Sequence, residues 1–600
     1  MKKRNNKLEI NKQILILLVL FGLLCGNAYA QVNPKARKLL EERGEIVVKF
    51  KQPTFIKLPA LSRMMSIDNY IKKVDGNEIS AYLNQRQFEQ FEKLNINYEI
   101  VAPPTLKSTV TMCSDVPGVK NWNCYPTYSQ YVAVMESFVT NYPNLCKLVE
   151  FGKSVDGRKL LAMKISDNVV SDEEEPAFLY TSTMHGNETT GYALMLRFID
   201  YLLKNYNSDS RISELVNTTE IWINPLSNPD GTYYLGDNII DNVYSRRYNT
   251  NGVDLNRNYP GFMYVDDYPN VPRFPIVTQD HPDGANWQPE TIAMMDFMKA
   301  HPFVFAANFH GGAEVVNYPW DGWESIEKVH ADDLWYQEIS REYADTVHAN
   351  SSGYLIDLDN GITNGADWYY AFGTRQDYVN YYLHSRETTI EISTTKTPAA
   401  ANLPNYWNYN YRSFLNYINR VHTGIYGKIV DQDGLPLKVK ISLDSYDYDS
   451  SEVYSNASNG MYYRMLQDGN YRLYASCYGY NSVDTVVSVI NQQPTELNLV
   501  LHKWPTSIQI IDNDYVKILK FNNPVQNDLK IDFELKKACS YKLELFDIAG
   551  KKVLERSYIG NQGLNQVQYN IENLKQGVYF CKIYSDFFME KIKFVKLNEL

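Results

Sequence analysis

The sequence predicts a large α/β domain, preceded by a small α+β domain and followed by two small β-sandwiches. Between residues 113 and 422, short apolar runs alternate with helical patterns, which predicts a mixed, largely parallel sheet. Residues 423–502 and 512–600 instead carry short strands of alternating polarity separated by turn signals. A chain of 600 residues is also long for one domain, which favours several.

The composition is that of a globular protein without a large basic surface. The chain has 59 Lys plus Arg and 70 Asp plus Glu, a formal net charge of −11, and 44% hydrophobic residues. Proteins that coat nucleic acid, or that hold a membrane surface through basic clusters, carry an excess of positive charge. We therefore expect no nucleic-acid partner.

The first 30 residues have the pattern of a secretory signal peptide. Basic residues at the start are followed by an apolar run over 14–24 and by Ala28-Tyr29-Ala30, a small-x-small cleavage site. The run is too short to span a membrane comfortably, and no later segment reaches about 18 uninterrupted apolar residues. We therefore expect an exported chain with no transmembrane span after cleavage. A lipoprotein anchored at Cys25 is the alternative, but bulky Leu24 stands where a small residue is needed.

Residues 31–112 predict a small α+β domain. Strands over 45–50 and 98–101 accompany helical patterns around 67–73 and 85–94. A segment of this length and mixture can form a small open sandwich.

The cysteines are compatible with export and offer no zinc-binding pair. Of the seven, Cys25 lies in the predicted signal peptide, and the others form no Cys-x-x-Cys motif. Export permits disulfides. Cys113, Cys124 and Cys146 are odd in number within their region, so at least one is free or pairs at long range. The connectivity stays open.

Two histidines follow predicted strands at their carboxyl ends. The strand over 178–183 leads to His185, and Glu188 stands at the start of the next helical pattern. A second strand, over 303–309, leads to His310. Open α/β sheets bind ligands beyond the carboxyl ends of their strands, so these three side chains can meet. Two histidines and a glutamate with an open position are a catalytic zinc ligand set, so we predict one Zn²⁺ in this domain.

Five motifs, taken in order, resemble those of the zinc metallocarboxypeptidases. The resemblance is to the regulatory branch, which contains carboxypeptidases D, E, M and N, and it covers about half of the chain. It implies a carboxypeptidase-like catalytic domain over 113–422, zinc held by His185, Glu188 and His310, and hydrolysis of C-terminal peptide bonds. The motifs are His185-x-x-Glu188, Asp254-Leu255-Asn256-Arg257-Asn258, His310-Gly311-Gly312, Gly361-Ile362-Thr363-Asn364-Gly365-Ala366-Asp367-Trp368-Tyr369 and Thr389-Ile390-Glu391-Ile392.

The resemblance also implies roles for residues near the substrate. Asn256 and Arg257 match the clamp for the terminal carboxylate, which an arginine can bind with two hydrogen bonds. Asp254 matches the acid that accepts a hydrogen bond from a zinc-bound histidine. Arg247 stands where the family places the arginine that stabilises the oxyanion, although the branch has Gly-Arg where this chain has Arg246-Arg247.

Glu391 and Tyr369 complete the implied active site. Glu391 matches the general base that takes a proton from zinc-bound water and passes it to the leaving amine. Tyr369 matches the mobile tyrosine that closes over the substrate carboxylate, with neighbouring Tyr370 as the alternative. This region departs from the branch, which has Gly-Gly-Met-Gln where this chain has Gly373-Thr374-Arg375-Gln376.

Two polar residues match the specificity pocket of the regulatory branch. Asp321 stands at the position of the acid on the pocket floor, and Gln376 matches a polar pocket position. A pocket acid pairs with a basic side chain, so we predict peptide or protein substrates that end in Lys or Arg. The alternative is that Asp321 is an ordinary loop aspartate.

The flanking segments carry resemblances of their own. Residues 31–112 resemble a carboxypeptidase activation segment, and residues 423–502 resemble the transthyretin-like domain that follows the catalytic domain in the regulatory branch. After a linker at 503–511, residues 512–600 resemble the C-terminal sorting domain of type IX secretion cargo, for example at Asn523-Pro524. The last resemblance implies outer-membrane secretion machinery as a partner and a secreted or cell-surface location.

Two other functions stay open. Meso-diaminopimelate carries an extra amine, so a peptidoglycan stem-peptide carboxypeptidase could use the same acidic pocket, although export to the surface disfavours this. A non-catalytic surface binding protein would use the β-domains. It would be expected to lack some of the active-site residues, and His185, Glu188, His310 and Glu391 are all present.

Overall fold

The computed structural model divides into two compact units, Met1–Leu501 and His502–Leu600. The predicted signal peptide and most of the predicted linker lie outside the described residues. Among the residues that the structure does describe, no helix has the length and apolar character needed to cross a membrane. These residues are 33–102, 110–171, 173–261, 286–477, 479–503, 515–585 and 588–597.

The first unit begins with a small α+β domain. Its antiparallel sheet has the order β2-β3-β1-β4, and the three helices pack their apolar residues against one core with it. The elements are α1 (Pro34–Arg43), β1 (Ile46–Lys51), α2 (Leu58–Met64), β2 (Ser66–Ile71), β3 (Glu78–Leu83), α3 (Gln85–Glu92) and β4 (Tyr98–Val101).

The helix predicted around 67–73 is wrong, because this segment contains strand β2. Antiparallel pairing with β3 satisfies its backbone groups and overrides the local helical pattern. The register shifts between Ile67 and Asn69, so Asp68 lies in a β-bulge without a partner residue on β3. A bulge turns the side chain that it carries away from the regular alternation of the strand.

An eight-stranded mixed sheet forms the centre of the first unit. The strand order is β11-β10-β12-β9-β7-β8-β6-β5, and the central strands β12, β9, β7 and β8 run parallel. The elements are α4 (Val116–Val119), α5 (Tyr128–Asn141), β5 (Cys146–Lys153), β6 (Lys159–Ile165), β7 (Ala177–Ser182), α6 (Thr190–Asn205), α7 (Ser210–Thr218), β8 (Glu220–Asn224), α8 (Pro229–Thr232), a 3₁₀ turn (Leu255–Arg257), α9 (Pro289–Ala300), β9 (Phe303–His310), β10 (Glu314–Tyr318), α10 (Asp333–His348), α11 (Asp357–Asn360), β11 (Ile362–Asn364), α12 (Gly365–Trp368), α13 (Arg375–Tyr382), β12 (Arg386–Ile392), a 3₁₀ turn (Ala400–Asn402), α14 (Leu403–Asn419) and a 3₁₀ turn (Arg420–His422).

Two apolar cores cover the sheet. The larger core contains residues of α6, α10 and α14, such as Phe198, Tyr343 and Phe414, against Phe305 of β9. A separate core contains residues of α9 and α13 against Ala306, the next residue of β9. Because successive strand residues point to opposite faces, these cores lie on the two sides of the sheet. The predicted α/β class is thus confirmed.

One disulfide joins Cys113 to Cys124, and Cys146 is a buried free thiol. The sequence left the pairing of Cys113, Cys124 and Cys146 open, and the structure shows that Cys146 is the unpaired one.

The first unit ends in a β-sandwich. One sheet has the order β16-β13-β19, with β20 also paired to β13, and the other has the order β15-β14-β17-β18. The strands are β13 (Ile425–Asp431), β14 (Lys440–Leu443), β15 (Val453–Tyr454), β16 (Met461–Arg464), β17 (Gly469–Ser476), β18 (Val483–Val489), β19 (Thr495–Glu496) and β20 (Leu499–Leu501).

The second unit is a β-sandwich with its own core. Sheets of order β21-β22-β25 and β24-β23-β26-β27 enclose apolar residues such as Phe533, Leu543 and Phe594. The strands are β21 (Val516–Phe521), β22 (Asp528–Leu535), β23 (Cys539–Asp547), β24 (Lys552–Gly560), β25 (Gly563–Asn570), β26 (Gly577–Tyr584) and β27 (Met589–Lys596).

Candidate metal centre and substrate pocket

Neighbouring parallel strands deliver the two predicted histidines to one edge of the central sheet. Strands β7 and β9 pair in parallel up to Ser182 opposite Phe309. His310 is the last residue of β9, and His185 lies in the turn between β7 and α6. Glu188 lies in the same turn, where its amide donates to the His185 carbonyl at 3.0 Å.

The donor atoms of these three side chains converge. Glu188 Oε2 lies 3.1 Å from His185 Nδ1 and 2.9 Å from His310 Nδ1, and the two imidazole nitrogens are 3.0 Å apart. All three residues are buried. Two imidazole nitrogens and one carboxylate oxygen are donors that zinc prefers, so the residues present fit a zinc ion.

The outer nitrogens of both imidazoles have partners, which fixes the ring orientations. His185 Nε2 lies 3.0 Å from Asp254 Oδ1, and His310 Nε2 lies 2.7 Å from the side-chain amide of Asn308. Such outer contacts leave Nδ1 of each ring to face the metal position.

Burial sets the protonation preferences of this site. It lowers the pKa of His310 to about 4, so the imidazole is neutral near pH 7 and its lone pair can bind a metal. Burial also raises the pKa of Glu391 well above its usual value, and the nearby charge of Glu188 adds to the increase. A raised pKa suits a carboxylate that must accept a proton.

One pocket of about 490 Å³ contains most of the predicted site. Glu188, Asp254 and Gln376 do not line it but contact residues that do. The predicted residues that line it are His185, Arg247, Asn256, Arg257, His310, Asp321, Tyr369 and Glu391.

The structure distinguishes the paired candidates. Arg247 lines the pocket and donates to Asp254 Oδ2 at 2.8 Å, whereas the guanidinium of Arg246 stacks 3.2 Å from the ring centroid of Tyr234. Tyr369 lines the pocket, whereas the Tyr370 hydroxyl donates to Glu327 Oε2 at 3.1 Å. Arg247 and Tyr369 are therefore the members of each pair that can meet a substrate.

Asp321 is held in a polar corner of the same pocket. Its Oδ1 accepts from Gln376 Nε2 at 3.0 Å and from Asn317 Nδ2 at 3.1 Å. Asp377 fixes the loop by accepting the Asp321 amide at 2.9 Å. A Cβ on Gly365 would lie 2.1 Å from Asp321 Oδ1, so only glycine leaves room for this carboxylate.

Sequence reasoning missed two charged residues at this site, Asp68 and Lys396. Lys396 Nζ donates to Glu188 Oε1 at 2.7 Å and to Asp68 Oδ1 at 2.9 Å. Lys396 follows Glu391 by five positions. Its closeness to the carboxyl end of β12 is the one sequence feature that could have indicated a place at this site. Nothing in the local sequence indicates Asp68, which belongs to the N-terminal domain and comes from its β-bulge.

Three successive residues of β2 contact pocket residues. The Ile67 carbonyl accepts from Arg257 Nη2 at 3.2 Å, and Asp68 Oδ1 accepts from Arg247 Nη1 at 3.2 Å. Asn69 Oδ1 accepts from the indole of Trp368 at 3.3 Å. The N-terminal domain thus contacts both pocket arginines, Arg247, which the resemblance assigns to the oxyanion, and Arg257, which it assigns to the substrate carboxylate.

Comparisons with known proteins agree with this geometry. Residues 131–413 match the family model described as zinc carboxypeptidase, and residues 521–596 match the model described as secretion system C-terminal sorting domain. Carboxypeptidase M of Mus musculus is 33% identical over 63% of this chain and 85% of that protein, and carboxypeptidase E of Caenorhabditis elegans is 33% identical over 62% and 84%.

Other relatives are much longer than this chain. Carboxypeptidase D of Anas platyrhynchos is 35% identical over 64% of this chain, and the match spans 27% of that protein.

Proposed function

Because the chain belongs to the zinc carboxypeptidase family, we propose that it hydrolyses the C-terminal peptide bond of peptides and proteins and prefers a terminal Lys or Arg. The observation that carries this proposal is one pocket lined by two histidines of the metal trio, two arginines, Glu391 and Asp321. One Zn²⁺ held by His185, Glu188 and His310 would lower the pKa of a bound water and polarise the scissile carbonyl.

In this proposal Glu391 is the general base. It pairs with His310 across β12 and β9, so both residues lie at the same edge of the sheet. Glu391 Oε2 is buried and has no hydrogen-bond partner among the described residues. The carboxylate takes a proton from the attacking water and passes it to the leaving amine.

Asn256, Arg257 and Tyr369 hold the terminal carboxylate of the substrate in this proposal. Arg257 offers a planar pair of donors that suits a carboxylate. Its Nη1 donates to the Asn256 carbonyl at 2.8 Å, which holds the guanidinium in place. Asp254 contacts both His185 and Arg247, so it positions a metal ligand and the proposed oxyanion arginine together.

Asp321 supplies the preference for basic residues. Its carboxylate lines the pocket, and hydrogen bonds from Gln376 and Asn317 orient it. A terminal Lys or Arg side chain would replace lost hydration with an ion pair, whereas an apolar or acidic side chain would leave the carboxylate unpaired.

Each flanking domain has its own proposed role. We propose that residues 31–112 act as an inhibitory prosegment, since β2 contacts both pocket arginines. The sandwich over 425–501 is proposed to be transthyretin-like and to support the catalytic domain. The second unit is proposed to direct the chain through type IX machinery to the cell surface.

The test is mass spectrometry of products from a peptide set that differs only in the last residue. Peptides ending in Arg or Lys should lose that residue much faster than peptides ending in Phe or Glu, and a zinc chelator should stop the release. Equal rates on all four would refute the basic preference. A separate arm with peptidoglycan muropeptides would reveal the alternative substrate.

A further inference from the structure

A single oxygen atom in the pocket receives two cationic donors. Arg247 Nη1 lies 3.2 Å from Asp68 Oδ1, and Lys396 Nζ lies 2.9 Å from the same atom. Both contacts are with Oδ1 of Asp68 and neither is with Oδ2. Two positive groups therefore stabilise one negatively charged oxygen at this position.

The hydrogen bonds of Lys396 account for all three of its N–H groups, and one of them points to this position. A lysine ammonium has three N–H donors. Two of them are committed to fixed protein acceptors, Glu188 Oε1 and the Gly311 carbonyl, both at 2.7 Å. The third donates to Asp68. Without Asp68 this third N–H would be free to donate to another acceptor at the same position.

The backbone around Lys396 is fixed to the turn that carries the metal ligands. The Lys396 carbonyl accepts from the Thr189 amide at 2.9 Å, and the Thr397 hydroxyl donates to the Asn187 carbonyl at 2.9 Å. A Cβ on Gly312 would lie 3.0 Å from Lys396 Nζ, so glycine leaves the space in which the ammonium lies. The side chain is 1% exposed and is therefore preorganised rather than mobile.

We propose that Lys396 is a catalytic residue that shares the developing oxyanion with Arg247, at the position that Asp68 Oδ1 occupies in the full-length chain. This inference rests on the proposed function, in which Arg247 contacts the scissile carbonyl. Oxyanion stabilisation of this kind requires donors about 2.7–3.1 Å from the position of the oxyanion, and Lys396 Nζ lies 2.9 Å from Asp68 Oδ1, the atom that marks this position in the proposal.

The reaction creates the charge that Lys396 would bind. Water oxygen bonds to the scissile carbonyl carbon, one water proton passes to the Glu391 carboxylate, and the carbonyl π pair moves onto the carbonyl oxygen. Collapse restores the carbonyl, breaks the C–N bond and transfers the Glu391 proton to the amine nitrogen. The products are a shortened peptide acid and a free amino acid, and Lys396 donates a hydrogen bond throughout without losing its proton.

The competing explanation is that Lys396 only neutralises Glu188. Both roles predict a loss of activity on substitution, so activity alone does not separate them. A role limited to Glu188 acts through metal binding, whereas a donor to the oxyanion acts on the transition state and leaves metal and ground-state substrate binding intact.

The experiment compares Lys396→Met, Lys396→Arg and the control Lys164→Met in the full-length chain after identical limited trypsin treatment. Lys164 is also a buried lysine paired with a glutamate at 2.7 Å, but its partner Glu220 is neither a predicted metal ligand nor a residue of the pocket. The measurements are kcat, KM, bound zinc, and the affinity for a phosphonate peptide analogue, whose tetrahedral anion mimics the transition state.

Lys396→Met should lower kcat by about 100-fold, the effect of removing one oxyanion donor, with KM and bound zinc little changed. Phosphonate affinity should fall by a similar factor, Lys396→Arg should recover part of both losses, and Lys164→Met should behave as wild type. Unchanged kcat, unchanged phosphonate affinity, or a kcat loss that follows zinc loss would overturn the inference. A wild-type chain that releases no amino acid would instead refute the proposed function on which it rests.

Discussion

At the scale of single residues, the proposed role of Asp321 in substrate selection depends on its burial and its charge. Burial raises the pKa of Asp321, while hydrogen bonds from neighbouring side chains oppose the increase. The carboxylate is 4% exposed, so its negative charge has little solvent screening in the pocket. A terminal guanidinium or ammonium would therefore meet a strongly attractive partner.

We predict that Asp321→Asn removes most of the preference for terminal Arg or Lys over Phe. The substitution keeps the size and hydrogen-bonding capacity of the side chain but removes its charge. The ratio of kcat/KM values for the two substrates measures this change, and Asp296→Asn on the surface of α9 is the matched control. A variant that retains the wild-type ratio would contradict the role of Asp321.

The same residue predicts a pH dependence of specificity. Protonation neutralises Asp321 as the pH falls through its pKa, and burial places that pKa above the usual value for an aspartate. The ratio of kcat/KM for Arg-ended over Phe-ended peptides should therefore decrease on acidification, starting at a higher pH than for an exposed aspartate. The decrease should be absent from Asp321→Asn.

At the scale of elements, β2 connects the N-terminal domain to the chemistry. Its bulge sends Asp68 to Arg247 and Lys396, and the preceding carbonyl occupies Arg257. Charge-assisted contacts of this kind are stronger than neutral ones. In the proposed function they compete with a substrate for the same donors.

Asp68→Ala in the full-length chain should therefore raise the activity on Arg-ended peptides. Loss of the carboxylate removes both ion pairs, whereas the contacts of the Ile67 carbonyl with Arg257 and of Asn69 with Trp368 remain. Initial rates before any proteolysis give the readout, and Asp75→Ala, an exposed residue of the same domain, serves as the control. Activity equal to or below wild type would argue against inhibition by β2.

A second element contact joins the central domain to the sandwich that follows it. Arg464 of β16 reaches Asp332 at 2.8 Å, and Asp332 in turn binds Arg386 at 2.5 Å. All three side chains are buried. Arg386 begins β12, the strand that carries Glu391, the proposed general base, so the sandwich helps to fix the start of this strand.

Arg464→Met should destabilise the first unit, because it leaves the Asp332 and Asp447 carboxylates with fewer partners in a buried site. Breaking a buried ion pair from one side costs about 3–5 kcal/mol. Arg472→Met, which breaks the exposed pair with Asp484, should cost much less, because solvent screens this pair. Urea midpoints for the two variants, followed by fluorescence, compare these costs, and equal midpoints would contradict the argument.

At the scale of the whole molecule, the C-terminal unit has its own core and matches a sorting domain. Deletion of residues 512–600 should leave the catalytic domain folded and active but retained inside the outer membrane of a bacterium that has the type IX machinery. Fractionation with an activity assay tests this, and normal surface delivery of the truncated chain would refute it.

The sequence predicted the metal trio and the fold class because both depend on local pattern. The strands that lead to His185 and His310 bring these residues to one edge of the sheet when they pair in parallel, whereas Glu391 and Arg257 were predicted from the resemblance to the zinc carboxypeptidases. Asp68 could not be predicted, since its position depends on a bulge and on how one domain docks against another. Lys396 lies in a polar stretch after β12, where a single lysine is normally a surface residue.

The central claim is that His185, Glu188 and His310 together hold one zinc ion that the reaction needs. The most direct test is elemental analysis of zinc in the purified full-length chain, alongside His310→Ala and Glu391→Gln. We expect one zinc per chain in wild type and in Glu391→Gln, which should keep its metal while losing activity, and little zinc in His310→Ala. Equal zinc content in wild type and His310→Ala would contradict the account.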